Sequence, residues 1–303
     1  MFCPQCGAEY RAGFNRCSDC GVDLVEHRFI PEPRRNAALS DPWQNFFMLT
    51  LGLSWSVSAL AYFGVIPTVL LFPAAYSPSL VALGLTVWDS GMPGVKTLLR
   101  RFLIWRVSAR WYLFAAFYMA AVALITAVTY HLISKSWPSV HPLPWLALVS
   151  PIVIRSSSRI VVRASEEIGW RGYALPRLSE RFGLRNASLI LGPMWAAWHL
   201  PLFLTPMSGS YHQSFPQYAL EVTAISVAFA WLYSNTRCSL LLVTLMHSAM
   251  DETLFTASAV IPPSKPLANA FALPLDASWL FVGFLWVFAG YLLVRMTHRK
   301  LPD

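Results

Sequence analysis

The sequence predicts an all-α, polytopic transmembrane helix bundle carrying a small cysteine-bearing domain at its N-terminus. Three observations support this. The 303 residues are 56% hydrophobic and only 13% charged, with a mean hydropathy of +0.49, which places the chain among membrane proteins and excludes an ordinary soluble globule. Apolar runs recur at residues 46–66, 68–88, 111–133, 143–165, 187–205, 217–234, 238–260 and 278–295, each near the roughly 20 residues that span a bilayer, giving about eight spans. Four of the five cysteines fall in the first twenty residues, ahead of any apolar run.

Those cysteines form two pairs, Cys3-Pro-Gln-Cys6 and Cys17-Ser-Asp-Cys20, each followed by glycine. Two C-x-x-C knuckles with a short spacer read as a tetrahedral four-cysteine Zn2+ site, so residues 1–26 are expected to be a zinc ribbon. A redox pair or a disulfide framework is the alternative. So short a segment has little core, and zinc would supply its folding free energy. It shows no basic-aromatic face for nucleic acid, so a protein partner is the expected ligand. No cleavable signal peptide is visible at the start. Cys238, in an apolar context, reads as packing.

Residues 27–42 read as a linker, broken by Pro31, Pro33 and Pro42, with Arg34 and Arg35 just before the first span. The transmembrane domain is then expected over 43–298. Between the second and third apolar runs, Gly91 to Arg110 mixes Lys96, Arg100, Arg101, Arg106 and Arg110 with Leu, Phe, Ile and Trp. This pattern suits an amphipathic helix on an anionic lipid surface or a plain basic loop. The net charge of +8 is topological. With the N-terminus in the cytoplasm, the inner segments collect nearly all the arginines, and the outer loops hold only Lys135 and Lys265. That places both termini in the cytoplasm and the four cysteines in a reducing compartment.

Within this apolar chain a few polar residues stand out. Glu166 and Glu167 are adjacent, and Arg171 follows Glu167 by four residues. On a helix Glu167 and Arg171 are i,i+4 neighbours able to pair, and Arg163 is spaced to brace the other side of Glu167. Glu166 points about 100° away. Ionisable groups in a span cost about 2.5–3.5 kcal/mol each on insertion scales and so usually face a bundle interior. Arg155, Arg159 and Arg163 continue the same stripe backwards. His199 lies in the run that follows, four residues after Trp195, and His247 and Asp251 lie one turn apart in a later one. If the first of these helices ends at Pro176, Glu166 lies roughly 13 Å from its inner end, a depth the two histidines can match. The bland reading is a helix-end salt-bridge cluster with two packed histidines. His131, His141, His212 and His298 fall in or near expected loops, and Glu221 and Glu252 are buried acids outside the motifs.

Taken in order, Glu-Glu-x-x-x-Arg (Glu166, Glu167, Arg171), aromatic-x-x-x-His (Trp195, His199) and His-x-x-x-Asn/Asp (His247, Asp251) resemble the CPBP intramembrane proteases over about residues 146–256. That family includes type II CAAX prenyl endopeptidases and lysostaphin-resistance-protein-A-like proteins. Two departures are Trp195, where the family usually has Phe, and Asp251, where it often has Asn.

The resemblance implies peptide-bond hydrolysis inside a cytoplasmic membrane, bacterial by analogy, on a membrane-associated or lipidated protein or peptide. It implies that Glu166 with His199 deprotonates a water, that His247 with Asp251 stabilises the oxyanion, and that Glu167 and Arg171 fix Glu166. Asp251 departs from that scheme, since an ionised carboxylate donates no hydrogen bond. It would instead orient His247 or ligate a metal. Two histidines and a glutamate could bind zinc, but H-E-x-x-H is absent, so catalysis with or without metal stays open. A non-catalytic immunity or scaffold protein, or a transporter, remains the alternative to an enzyme.

Overall fold

The structure is a computed structural model, and it describes residues 1–2, 9–11, 13–18, 21–25, 41–67, 74–135, 160–205, 214–260, 275–297 and 301. Helices dominate. In chain order they are α1 (Pro42–Tyr62), α2 (Ser77–Arg100), α3 (Ala109–Ser134), α4 (160–167), α5 (Leu175–Trp198), α6 (Leu200–Leu204), α7 (Phe215–Asn235), α8 (Leu240–Val260) and α9 (Leu275–Arg295). A π-helical turn, Ile168–Ala174, joins α4 to α5. Among the described residues there is no strand, only isolated antiparallel bridges near the N-terminus.

Among the described residues, three helical stretches are long and apolar enough to cross a membrane by length and composition: Ala109–Ser134, Ile160–Leu204 and Ala277–Arg295. The chain is an integral membrane protein. Several expected runs coincide closely with helices, such as 217–234 with α7 and 238–260 with α8. The fourth expected run, 143–165, lies mostly outside the described residues, as do Arg155 and Arg159. Exposed Leu113, Phe117, Leu124 and Ile133 line the outside of α3, as expected where lipid is the solvent.

One expectation about helix ends changes. Pro176 does not stop its helix; it follows directly on the π-turn, in the first turn of α5. The break comes at Gly183, whose φ of 75° a residue with a side chain adopts only at a cost. The basic stretch beginning at Gly91 is helical through Arg100, set off from the helix before it by a break at Gly91, and it is amphipathic, with Val95 and Leu98 buried and Met92, Lys96 and Arg100 exposed. Helix α2 bends at Gly91 (φ 63°) and continues, and a single 3₁₀ turn, Arg101–Leu103, follows. His131, expected near a loop, is in the last turn of α3.

The centre of the bundle is α7, buried along nearly its whole length from Glu221 to Tyr233. It packs against α5 and α9, while α3 lies on α8 and α9, and α1 on α2 and α5. Small residues set how closely the helices approach. A Cβ on Gly192 of α5 would lie 2.4 Å from the Thr223 Cα of α7, and one on Gly169 would lie 2.5 Å from the Pro78 side chain of α2. Polar ties lock these contacts. Trp198 Nε1 donates to Ser77 Oγ at 3.0 Å, Gln217 Nε2 to Ser278 Oγ at 2.8 Å, and Arg101 Nη1 to the Tyr233 hydroxyl at 2.7 Å and the Gly172 carbonyl at 3.3 Å. The outcome is a rigid frame around the π-turn.

The N-terminal segment folds back on itself. Phe2 and Val25 exchange backbone hydrogen bonds, and the Gly21 N–H closes on the Cys17 carbonyl at 3.0 Å. Its core is Cys17 and Leu24, with Met1, Tyr10 and Val22 against them. Cys3, Cys6 and Cys20 lie outside the described residues.

Candidate active site

The site forms where the end of α4 meets α5, α7 and α8. Glu166 is 1% exposed, Glu167 and Arg171 0%, and His247 2%. Charges this deep need partners, and each has one. The Arg171 Nη1–H donates to Glu167 Oε1 at 3.0 Å, which is the i,i+4 pairing. The same oxygen accepts from His247 Nδ1 at 2.7 Å. The Arg171 guanidinium is also sandwiched between two rings, 4.2 Å from the centroid of Trp195 and 4.2 Å from that of Phe229. Cation–π contacts of this kind contribute about 2 kcal/mol when desolvated. The His247 ring stands edge-on to the same two rings.

Arg163 does not brace Glu167. It pairs with Glu166, Nη1 to Oε1 at 2.6 Å, at i,i+3 spacing. Its Nη2 makes an ion pair with Asp251 Oδ2 on α8. Both spacings are open to a long side chain on a helix; the position of Asp251, 88 residues further along the chain, favours the shorter one. Glu166 is therefore not the unbraced acid of the pair. Its second oxygen, Oε2, accepts from Trp195 Nε1 at 3.3 Å and lies 3.9 Å from His247 Nε2.

The hydrogen bonds fix the histidine tautomers. A carboxylate at Nδ1 makes His247 an Nδ1–H donor. The Trp195 carbonyl, 3.0 Å from His199 Nδ1, does the same for His199. Each neutral ring keeps its Nε2 lone pair uncommitted by these bonds. His199 is boxed by Trp198 at 4.6 Å, Tyr218 at 5.6 Å and Trp195 at 6.2 Å between ring centroids.

All six candidate residues thus belong to one neighbourhood. Trp195 links them, touching Glu166, Arg171, His199 and His247. Two participants were hidden in the sequence. Phe229 and Tyr218 resemble ordinary core aromatics of α7. Arg163 was visible, but its partner was not. Among the described residues no three His, Cys, Asp or Glu side chains are placed to hold one metal ion, and the Arg163 cation lies against Glu166. This donor set does not fit a catalytic metal.

A membrane helix bundle with a buried acid–histidine centre is the class this geometry defines. Residues 145–253, which include all six, carry a domain matching the family described as Type II CAAX prenyl endopeptidase Rce1-like. Over 89 residues the chain is 33% identical to the protein named CAAX prenyl protease 2 from Methanococcus maripaludis, covering 27% of this chain and 32% of that protein. The matched stretch thus spans about a third of the relative's length.

Proposed function

We propose that this chain is an intramembrane endopeptidase that hydrolyses a peptide bond in a membrane-associated protein, with a prenylated C-terminal tail as the substrate class. The observation that supports it best is the pairing of Glu166 Oε2 with His247 Nε2 at 3.9 Å. That is too long for a direct hydrogen bond, yet one water oxygen can hydrogen-bond to both groups at once. The water gives a proton to Glu166 as its oxygen attacks the scissile carbonyl. His247, held through Nδ1 by Glu167, aligns the water's second hydrogen. His199 lines the same neighbourhood, where its Nε2 can accept an N–H of the leaving amine. Glu167 and Arg171 hold His247 and the π-turn in place.

Around this centre we place the transmembrane domain over 43–298, the linker over 27–42 and both termini in the cytoplasm. We propose a zinc ribbon over 1–26, with Cys3, Cys6, Cys17 and Cys20 holding Zn2+. Cys17 is buried in a core too thin to fold unaided, which fits a segment that folds around metal. A protein partner is its proposed ligand.

The test is cleavage of a prenylated reporter peptide by the purified protein and by its Glu166→Gln and His199→Ala variants. Loss of cleavage in both is expected. Cleavage retained in both would remove this mechanism. A cellular phenotype seen on deletion but not with Glu166→Gln would point to a scaffold instead.

A further inference from the structure

An oxyanion forms whenever water attacks a carbonyl, and it needs an N–H or O–H donor aimed at it. No motif residue presents such a donor to a substrate in its resting form. Asp251 is a carboxylate with no hydrogen to give, and it makes an ion pair with Arg163. The N–H of His247 faces Glu167, and that of His199 faces the Trp195 carbonyl. Trp195 spends its indole N–H on Glu166. Arg171 also has an Nε and an Nη2 without acceptors, but it is enclosed between the Trp195 and Phe229 rings, with no exposed surface.

Arg163 is different. It reaches the site from one turn before Glu166, with 22% of its side chain exposed. Its two terminal nitrogens are held by Glu166 and Asp251, on two different helices. That grip leaves the planar guanidinium one orientation. Its Nε–H is buried and has no hydrogen-bond partner. A cationic N–H without an acceptor is costly to bury, and here it belongs to the side chain that grips the proposed base.

We infer that Arg163 is the oxyanion donor of this enzyme, with Asp251 as its positioning residue; this rests on the proteolytic reading above. As the water oxygen bonds to the carbonyl carbon, the C=O electron pair moves onto oxygen beside the Arg163 Nε–H, and one water proton passes to Glu166. On collapse that pair re-forms C=O, the C–N bond breaks, and the proton on Glu166 leaves with the amine. Atoms and charge balance with water as the sole co-reactant. The departure from asparagine at position 251 then has a physical reason: an amide would donate to the oxyanion itself, whereas a carboxylate holds the arginine that does.

The experiment uses the full chain in lipid nanodiscs, a prenylated reporter peptide, and a peptide aldehyde whose hydrated form mimics the tetrahedral intermediate. Arg163→Gln should lower kcat by about 100-fold with KM within threefold, and should weaken the aldehyde by a similar factor. Arg163→Lys keeps a charge between Glu166 and Asp251 but loses the three-pronged fork. It should lower kcat at least about tenfold, on the one-donor scale, so the question stays answerable if Arg163→Gln folds poorly. Either variant retaining parental kcat and aldehyde affinity while Glu166→Gln is inactive overturns this inference alone. An active Glu166→Gln overturns the reading beneath it.

Discussion

Glu166 and Glu167 are neighbours in sequence, both buried, yet they lie in opposite surroundings. Glu167 is enclosed by structure: Arg171, the His247 Nδ1–H and, beyond them, the Trp195 and Phe229 rings. Glu166 has Arg163 on one oxygen and turns the other toward Trp195 and the Nε2 edge of His247. One acid gives a single oxygen to an arginine and a histidine and is sealed from solvent; the other presents an oxygen to reactants. The difference comes from a rotation of one residue on a helix. Two carboxylates at adjacent positions can therefore divide support from chemistry without any difference in residue type.

That division can be broken from either side. The largest effect is expected at Glu166→Gln: kcat should fall about 10²- to 10⁴-fold, while thermal unfolding in detergent stays near the parent. The amide keeps the shape, and Arg163 retains Asp251. Arg171→Met acts on the other side. It leaves the Glu167 charge buried without its cation, and breaking such a pair costs about 3–5 kcal/mol, read as a large drop in Tm.

Smaller changes sharpen the contrast. Gly192→Ala forces α5 away from Thr223, where a Cβ would sit 2.4 Å from the Thr223 Cα. Overpacking of this kind costs about 1–3 kcal/mol, and because α5 carries Trp195 and His199, kcat should fall along with Tm. The smallest effect is expected for Trp195→Phe, which keeps a ring over Arg171 but removes the indole N–H from Glu166. About 1 kcal/mol, or roughly fivefold in kcat, should be lost. No change in kcat would mean that the N–H does not orient the base.

Much of this was legible in the sequence, and the rest was not for identifiable reasons. The helices α3, α7, α8 and α9 fall where apolar runs of spanning length predict them, because a bilayer imposes length and composition directly. The Glu167–Arg171 pair was also readable, being local. Pro176 was misread because its effect depends on whether it falls inside a helix or in a first turn, which the preceding π-turn decides. The choice of Glu166 by Arg163 depended on Asp251, a contact made only by folding. Phe229 and Tyr218 carried no signal, since a ring beside a cation or an imidazole has the same sequence appearance as one beside leucine.

The wide turn at Ile168–Ala174 bears on how this chain tolerates change. A regular helix advances 100° per residue, and a π-turn accommodates one residue more than such a turn would. Deleting Gly172, Tyr173 or Ala174 would leave a smoother helix of nearly unchanged hydrophobicity. It would also swing Trp195 and His199 by about 100° away from the two glutamates. Chain length across those seven residues is thus as much a part of the apparatus as any side chain, and a one-codon deletion within Gly172–Ala174 would disarm it while sparing every motif.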